Sequence, residues 1–321
     1  MTAHLLGSLV ERVDTLAAPC RSHKEVDAIT AAVRDWAFDL GYASSADEWA
    51  RLNSIRCAEF AAYAFADAPV RKAALFATWI LWNTVVDDSL DETGLGSDVE
   101  AARAMFDEFD QVLLGGEAKG RHAGALAKLW HATETGTTPA WRARFREDVR
   151  LIGATSVAEA VNRDLRRVPT IREYRELRGG TIGRYLFNLI EHMYNVDLPE
   201  YLVWSPVWSE LAEASNDVVA WCNDLVSYPR ENAAGDVHNH VIVAAHELDL
   251  DLDAAASWVL DRTVERMADL GAAYRALPEE FDRLGVDLFT SRQASKVACV
   301  YAAAPRAHID WVRCSARYQP S

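Results

Sequence analysis

Apolar residues recur along most of the chain at the three- and four-residue intervals that place them on one face of a helix. Pro69 and Pro139 stand where two such segments begin, and the first helical turn tolerates proline because its amide groups have no intrahelical partners. Thr170 can cap a third helix. The predicted helices cover residues 70–88, 139–163, 171–195, 210–227, 254–277 and 291–317. This pattern predicts an all-α protein.

One short stretch, between Glu247 and Asp253, alternates polar and apolar residues as a strand would. It lies directly before an alanine-rich helical pattern, so we interpret it as an acidic loop that ends in a helix cap at Asp253. The chain carries no internal repeat and no low-complexity linker. We therefore predict a single domain over residues 1–321, whose long helices bury their apolar faces around a shared centre.

The charge balance argues against nucleic-acid binding. The sequence has 33 Lys and Arg residues against 48 Asp and Glu residues, which gives a formal charge of −15. Such a surface repels the phosphates of nucleic acids and of anionic membranes. If the ligand is an anion, a metal cluster or an arginine pocket must reverse this field locally.

The cysteines and the apolar segments indicate a cytoplasmic protein without a membrane span. The five cysteines are odd in number, no two form a CxxC pair, and no signal peptide precedes them, which favours reduced thiols. The longest apolar stretch, residues 73–86, is interrupted by polar residues and is too short to cross a bilayer. We interpret it as a core helix.

An acidic motif ends this apolar helix. Asp87, Asp88 and Asp91 place two carboxylates, those of Asp87 and Asp91, one turn apart on the same helical face. Carboxylates at the end of an apolar helix cost free energy unless they are paired or bind a metal, and hard oxygen ligands suit Mg²⁺. A solvated acidic helix end is the alternative interpretation of this motif alone.

A second set of oxygen ligands lies in the predicted helix 210–227 and just beyond it. Asn223, Ser227 and Glu231 are spaced by four residues, so they form one stripe with about 6 Å of rise between neighbours. A polar stripe on a surface helix is the alternative, but the preceding turn, residues 218–222, is apolar. Pro229 falls inside the stripe, removes the hydrogen bond to the Leu225 carbonyl group, and should bend the helix there.

Three glycines, at positions 179, 180 and 183, interrupt the predicted helix 171–195 just after Arg178. Each glycine costs a helix about 1 kcal/mol relative to alanine, so the segment should loosen and release backbone carbonyl groups. An ordinary interhelical loop is the alternative.

In this order along the chain, the two motifs resemble the aspartate-rich motif and the Asn/Ser/Glu triad of bacterial class I terpene synthases. The resemblance covers most of the chain, and its motif residues lie between positions 76 and 318. It implies an all-α helical bundle around a central active-site cavity and three Mg²⁺ ions that grip the diphosphate of a linear isoprenoid. The metal ligands that it implies are Asp87, Asp88 and Asp91 for two ions and Asn223, Ser227 and Glu231 for the third.

The resemblance also assigns roles around the glycine-rich break and at the end of the chain. Arg178 matches the family's diphosphate-sensing arginine, with Thr181 as a linker and the Ile182 carbonyl group pointing at the reacting carbons. Arg317 and Tyr318 resemble the closing pair that binds diphosphate oxygens. Arg230 stands where a basic residue often contacts diphosphate, and the pair formed by Glu159 and Arg163 is expected to give structural support.

After diphosphate departs, an allylic carbocation needs a dry pocket whose aromatic faces stabilise positive charge. The candidate contour residues are Phe76, Trp79, Asn83, Thr84, Phe187 and Trp311, with plain core packing as the alternative for each aromatic one. Many relatives carry aromatic residues where this chain has Asn83 and Thr84. We therefore expect a more polar or roomier pocket, and hence a hydroxylated product, a linear product or a longer substrate.

The resemblance favours farnesyl diphosphate as the substrate and a sesquiterpene as the product, with geranylgeranyl or geranyl diphosphate as alternatives. It leaves a homodimer open. A chain-elongating prenyltransferase would need a second Asp-Asp-x-x-Asp motif, and the chain has only one Asp-Asp pair, at 87–88. A non-catalytic helical carrier of apolar ligands is the alternative of another class, although a carrier needs no paired metal motifs.

Overall fold

The structure is a computed structural model that describes residues 2–92, Gly96 and residues 98–318; the side chains of Thr2, Asp91 and Glu92 are outside the description. Every regular element in these ranges is a helix, which confirms the predicted all-α class. The helices are α1 (Thr2–Arg12), α2 (Val26–Asp39), α3 (Ala46–Asn53), α4 (Cys57–Ala64), α5 (Val70–Glu92), α6 (Val99–Leu113), α7 (Arg121–Glu134), α8 (Pro139–Asp164), α9 (Ile171–Thr181), α10 (Tyr185–Tyr194), α11 (Glu200–Val203), α12 (Pro206–Ala234), α13 (His240–Leu248), α14 (Leu252–Leu284) and α15 (Leu288–Cys314). Short 3₁₀ turns cover Asp14–Leu16 and Ala316–Tyr318.

The chain divides into two compact units. Unit 1 comprises Met1–Pro19, Leu165–Ile182 and Leu198–Ile309. Within it, α12 makes its most extensive contact with α14 and also packs against α1, α9 and α13. Apolar side chains fill the space between α12 and α14, and Leu225 and Val259 are both fully buried. These contacts make α12, which carries the predicted Asn/Ser/Glu stripe, the central helix of unit 1.

Unit 2 comprises Cys20–Asp164, Gly183–Asp197 and Asp310–Ser321. Its central helix is α5, which packs against α2, α4, α7 and α10. Nearly every side chain between Ala73 and Trp82 is buried, as expected for a helix that is apolar on all sides. The two ends of α5 reach solvent, with Arg71 exposed at its start and Asp87 exposed in its acidic end.

Glycine divides the predicted helix 171–195 completely. Thr170 caps α9 through a capping box with Glu173, as its sequence position indicates. The helix ends at Thr181, and α10 begins only at Tyr185. Gly183 has a φ angle of +94°, a conformation that side chains rarely adopt, so this glycine is required for the break.

Two predicted helix ends were placed too early, because both α12 and α14 continue past an internal proline. α12 runs beyond Pro229 and α14 beyond Pro278. A proline removes one amide donor but does not by itself end a helix. After Pro278, the buried Glu280 and Phe281 hold the next turn of α14 in place. The predicted cap at Asp253 was also wrong. Asp251 caps α14 by accepting a hydrogen bond from the Ala254 amide at 2.8 Å.

The start of α10 is held by a partly buried carboxylate of α8. Asp148 accepts a hydrogen bond from Asn188 at 2.6 Å and lies 3.4 Å from the Arg184 guanidinium. Tyr185 is fully buried between Trp79 and Phe145. Burial raises the pKa of Asp148 to about 6, although Arg184 and Asn188 oppose this shift.

The raised pKa of Asp148 predicts a pH-dependent stability. The folded protein keeps this proton up to about pH 6, whereas the unfolded chain loses it near the ordinary value of 3.8. The free energy of unfolding should therefore fall as pH rises through this window, by up to about 3 kcal/mol. Asp148→Asn cannot titrate at this position. Urea unfolding at successive pH values should therefore show the free energy of unfolding of the variant rising relative to that of the wild type across the same window.

Asp110→Asn is the matched control, because the hydrogen bond from Arg150 lowers the pKa of Asp110. Its wild-type carboxylate stabilises the fold above the ordinary aspartate pKa and loses this effect as pH falls. The free energy of unfolding of the wild type should therefore rise relative to that of Asp110→Asn as pH rises. This trend is opposite to the one expected for Asp148→Asn. A stability difference for Asp148→Asn that does not vary with pH would contradict the assignment.

Candidate functional site

In unit 1, α12 carries the predicted oxygen stripe. Ser205 caps this helix by accepting a hydrogen bond from the Trp208 amide, and Pro206 occupies its first turn. Asn223 and Glu231 are partly buried and Ser227 is buried. The structure thus brings the three predicted side chains onto one helix in the expected order.

Arg178, on α9, reaches the start of this stripe. Its Nη2 donates to Asn223 Oδ1 at 2.9 Å and its Nε donates to Asp224 Oδ1 at 3.0 Å. Its Nη1 lies 3.4 Å from the Thr181 hydroxyl group, at the end of the same helix. The predicted sensing arginine, its linker and the first residue of the triad are therefore in direct contact.

Asp224 fixes this arrangement from inside the unit. Its side chain is only 1% exposed and pairs with Arg178 Nη2 at 2.8 Å. Tyr174, one helical turn before Arg178, donates its hydroxyl to Asp224 Oδ2 at 2.8 Å. Burial raises the pKa of Asp224, and Arg178 and Tyr174 oppose that shift. Neither Asp224 nor Tyr174 was assigned a role from the sequence, although the four-residue spacing of Tyr174 and Arg178 signals a shared face.

Asn239 holds the other end of the stripe and was also missed. Its Nδ2 donates to Glu231 Oε2 at 2.8 Å and lies 3.3 Å from Ser227 Oγ. The pKa of Glu231 is raised by burial and by Asp224, and hydrogen bonds from Asn239 and Ser227 oppose the shift. Arg230 is exposed and lies 3.4 Å from the other carboxylate oxygen of Glu231. No local sequence pattern around position 239 points to these contacts.

The break after α9 has its own support within unit 1. Asn216 donates from Nδ2 to the Gly179 carbonyl group at 3.0 Å, so one carbonyl released near the end of α9 has a partner. The Ile182 amide donates to the Arg178 carbonyl group at 3.4 Å, which closes the last turn. The role predicted for the Ile182 carbonyl group stays a prediction.

In unit 2, the chain end meets the acidic end of α5. Arg317 donates to Asp87 Oδ2 at 3.1 Å and also binds Asp88. Burial would lower the pKa of Arg317, but Tyr318, Asp87 and Asp88 outweigh it and raise that pKa. The side chain of Asp91, the third predicted aspartate, lies outside the described residues.

The backbone fixes this chain end. The Ala316 amide donates to the Ser54 carbonyl group at 3.0 Å. Tyr318 packs edge-on against Trp311, with ring centroids 5.4 Å apart. The predicted closing pair is thus joined to the predicted aspartate motif within unit 2.

Most of the predicted contour residues of unit 2 make core contacts. Trp79 is fully buried and donates from Nε1 to the Thr133 hydroxyl at 3.0 Å. Trp311 donates from Nε1 to the Ile55 carbonyl group at 2.8 Å. Phe76 and Thr84 are buried, whereas Asn83 and Phe187 are partly exposed. These contacts match the core-packing alternative for Trp79, Trp311 and Phe76, and the contour role stays a prediction.

Asn83 differs from these residues because it belongs to a polar pair. Its Oδ1 accepts a hydrogen bond from the Tyr185 hydroxyl at 3.0 Å. Tyr185 is therefore an aromatic residue of the core with one polar end. Arg184, the residue before it, forms the ion pair with Asp148.

The donor chemistry of the two sets fits a hard divalent cation. Among the described side chains, no group of three or more His, Cys, Asp or Glu residues could hold a metal ion. The α12 set instead combines amide, hydroxyl and carboxylate oxygens, and the α5 set offers Asp87 and Asp88. Oxygen ligands of this kind are those that Mg²⁺ prefers. None of the described helices is long and apolar enough to cross a membrane.

The buried Asp224 gives a stability prediction. Asp224→Ala should lower the free energy of unfolding by about 3–5 kcal/mol, because it leaves Arg178 largely buried without its carboxylate. Tyr174→Phe removes only one hydrogen bond to the same carboxylate and should cost about 1–3 kcal/mol. Urea unfolding of both variants tests this order. An Asp224→Ala cost no larger than that of Tyr174→Phe would contradict it.

Known proteins are similar to this chain in sequence and in fold. A family model described as terpene synthase family 2, C-terminal metal binding, matches residues 78–269, more than half of the chain. A (+)-T-muurolol synthase of Roseiflexus castenholzii, named as cyclizing (2E,6E)-farnesyl diphosphate, is 32% identical over 65% of this chain and 65% of its own length. A (-)-delta-cadinene synthase of Streptomyces clavuligerus is 28% identical over 85% of this chain and 84% of its own.

The fold comparison agrees with the sequence comparison. The solved structure of a cucumene synthase variant matches with a TM-score of 0.84 at 25% identity, covering 94% of this chain and 99% of that one. The fold class expected from the two motifs is thereby confirmed. The chain belongs to terpene synthase family 2, whose C-terminal region binds metal.

Proposed function

We propose that this protein is a magnesium-dependent class I terpene synthase, which ionises farnesyl diphosphate, cyclises the carbocation to a sesquiterpene and releases diphosphate. The observation that carries the proposal is the contact of Arg178 with Asn223 and Asp224, at the start of a stripe that continues through Ser227 and Glu231. A fixed guanidinium beside a row of hard oxygen ligands suits a ligand that is both a polyanion and a partner of divalent cations.

The relatives support farnesyl diphosphate, because the T-muurolol synthase is named for cyclizing it. Geranylgeranyl diphosphate is the second candidate. It is favoured by Asn83 and Thr84, which are smaller than the aromatic residues expected at these positions and so leave more room for a longer chain.

The residues that would hold Mg²⁺ fall into two sets. Asp87, Asp88 and Asp91 would hold two ions; Asn223, Ser227 and Glu231 would hold a third. Bound Mg²⁺ would supply positive charge that stabilises the departing diphosphate. Asp87 and Asp88 already bind the cationic Arg317, which supports their affinity for positive charge.

Arg178 donates a hydrogen bond to the side-chain oxygen of Asn223, which is one of the proposed metal ligands on α12. Its Nη2 donates to Asn223 Oδ1, while Asp224 holds its Nε. If Nη2 transfers to a diphosphate oxygen, Asn223 Oδ1 becomes available as a ligand and Asp224 still anchors the guanidinium. Binding of diphosphate by Arg178 would then also make Asn223 available to the metal ion beside Ser227 and Glu231.

Positive charge arranged around the leaving group lowers the barrier to ionisation. Arg178 supplies this charge from unit 1, with Arg230 as a second, exposed cation. Within unit 2, Arg317 and Tyr318 are the residues to which the family resemblance assigns diphosphate contacts. A carrier of apolar ligands needs none of these cations, so catalysis is the better account of them.

Incubation with C10, C15 and C20 diphosphates, with and without Mg²⁺, tests the function. Mass spectrometry should detect a cyclic C15 product only when the metal is present. Arg178→Lys should lower kcat by about 10²–10³-fold, because lysine lacks the planar fork that Asp224 and Asn223 hold.

Arg175→Lys is the matched control, since Arg175 lies on the same helix but stacks over Trp221. It should keep near wild-type activity. Absence of product from all three substrates, together with no Mg²⁺-dependent stabilisation by pyrophosphate, would favour the carrier.

The polar pair of Asn83 and Tyr185 predicts a change in product. Asn83→Phe alone would leave the buried Tyr185 hydroxyl without its acceptor, at a cost of about 1–3 kcal/mol. The sharper test combines Asn83→Phe with Tyr185→Phe and compares it with Tyr185→Phe alone. We expect the double variant to form less hydroxylated or linear product, or to use less of the C20 substrate. An unchanged product profile would overturn a role for Asn83 in specificity.

A further inference from the structure

Asn239 is fully buried at the start of α13 and contacts three groups of α12. Its Nδ2 donates to the Asp224 carbonyl group at 2.9 Å and to Glu231 Oε2 at 2.8 Å, and it lies 3.3 Å from Ser227 Oγ. Two of these partners are members of the oxygen stripe, and the third is the backbone beside Asn223. One carboxamide therefore touches the stripe along most of its length.

These contacts span the weakest turn of α12. Pro229 has no amide hydrogen, so the Leu225 carbonyl group loses its helical donor between Ser227 and Glu231. The helix nevertheless continues to Ala234. Asn239 bonds to the chain before the proline, at Asp224, and after it, at Glu231, so its carboxamide bridges the turn that the proline weakens.

The orientation of the Asn239 side chain is fixed from its other end. Its Oδ1 accepts a hydrogen bond from the Val241 amide at 2.8 Å and so caps α13. Because the oxygen faces that amide, the NH₂ group must face Ser227 and Glu231. A serine or an aspartate would also cap a helix. Neither has an NH₂ group to donate to Asp224 and Glu231. The contacts with α12 therefore require asparagine at this position, whereas the cap of α13 does not.

We propose that Asn239 is a positioning residue for the oxygen stripe of α12. It holds the Ser227 hydroxyl and the Glu231 carboxylate in register across Pro229, and it thereby sets the affinity of this stripe for Mg²⁺. The inference deepens the proposed function and rests on it. Asn239 acts through Ser227 and Glu231, in the way that residues behind metal ligands orient those ligands elsewhere.

The test is the Mg²⁺ concentration that gives half of the thermal stabilisation by inorganic pyrophosphate. Asn239→Ser keeps a helix cap but removes the NH₂ donor without adding charge. It should raise that concentration by about 10–100-fold. Asp251→Ser makes a similar cap substitution at the start of α14, away from the stripe, and should leave the concentration unchanged.

Pro229→Ala separates positioning from general stability. Alanine restores the amide donor to the Leu225 carbonyl group, so the stripe depends less on Asn239. In this background Asn239→Ser should cost less Mg²⁺ affinity than it does in the wild type. If Asn239→Ser does not fold alone, the double variant is compared with Pro229→Ala, where a smaller loss of affinity is still expected.

The outcomes are distinct. An unchanged Mg²⁺ requirement in Asn239→Ser, or in the double variant against Pro229→Ala, overturns the positioning role. An equal loss in both backgrounds overturns the bridging of Pro229. A wild-type protein that pyrophosphate and Mg²⁺ do not stabilise overturns the proposed function itself, and this inference with it.

Discussion

The candidate site of unit 1 depends on the burial of one carboxylate. Asp224 lies on the inner face of α12, and a buried carboxylate is stable only when charge and hydrogen bonds replace water. Arg178 and Tyr174 provide both, from one face of α9. Because Asp224 holds the guanidinium from below, Arg178 can direct its remaining donors to Asn223 and Thr181. The same pairing joins α9 to α12 and determines where the Arg178 guanidinium lies.

Much of this fold could be predicted from the chain because the long helices carry strong periodicity. α5 and α8 begin where their prolines indicate, and α9 begins after its Thr170 capping box. The ends of α12 and α14 could not be predicted, since proline is a local stop signal that contacts with other residues override. Asn239 holds Glu231 beyond Pro229, and Phe281 is buried beyond Pro278. Helices α1 to α4, α6, α7, α11 and α13 were not predicted. The sequence did carry a signal for α6, whose buried apolar residues recur at three- and four-residue intervals after a cap at Asp98.

The candidate site was predictable to the extent that it follows helical spacing. Asn223, Ser227 and Glu231 lie on one stripe because four residues make about one turn. Tyr174 shares this spacing with Arg178, whereas Asp224 directly follows Asn223, and nothing local says that two helices meet at a buried carboxylate. Asn239 lies eight residues beyond Glu231 and outside α12, so only the packing of α13 brings it back. Spacing within a helix therefore predicts part of the site, and the rest depends on contacts between helices that the sequence does not show.

In an acidic protein that binds a polyanion, the arginines must remain able to contact the ligand although the protein's own carboxylates also attract them. Each unit holds an arginine against acids: Arg178 against Asp224, and Arg317 against Asp87 and Asp88. The two pairs differ in burial. Asp224 is enclosed, so releasing Arg178 from it would leave a buried charge and cost several kcal/mol.

Asp87, by contrast, is 53% exposed, and water screens its pair with Arg317. The carboxylates of Asp87 and Asp88 are therefore more accessible to a metal ion than that of Asp224, which stays paired with Arg178 inside unit 1. This difference in burial supports the proposed role of Arg178 as a fixed diphosphate sensor, and it leaves Asp87 and Asp88 accessible for the proposed metal binding.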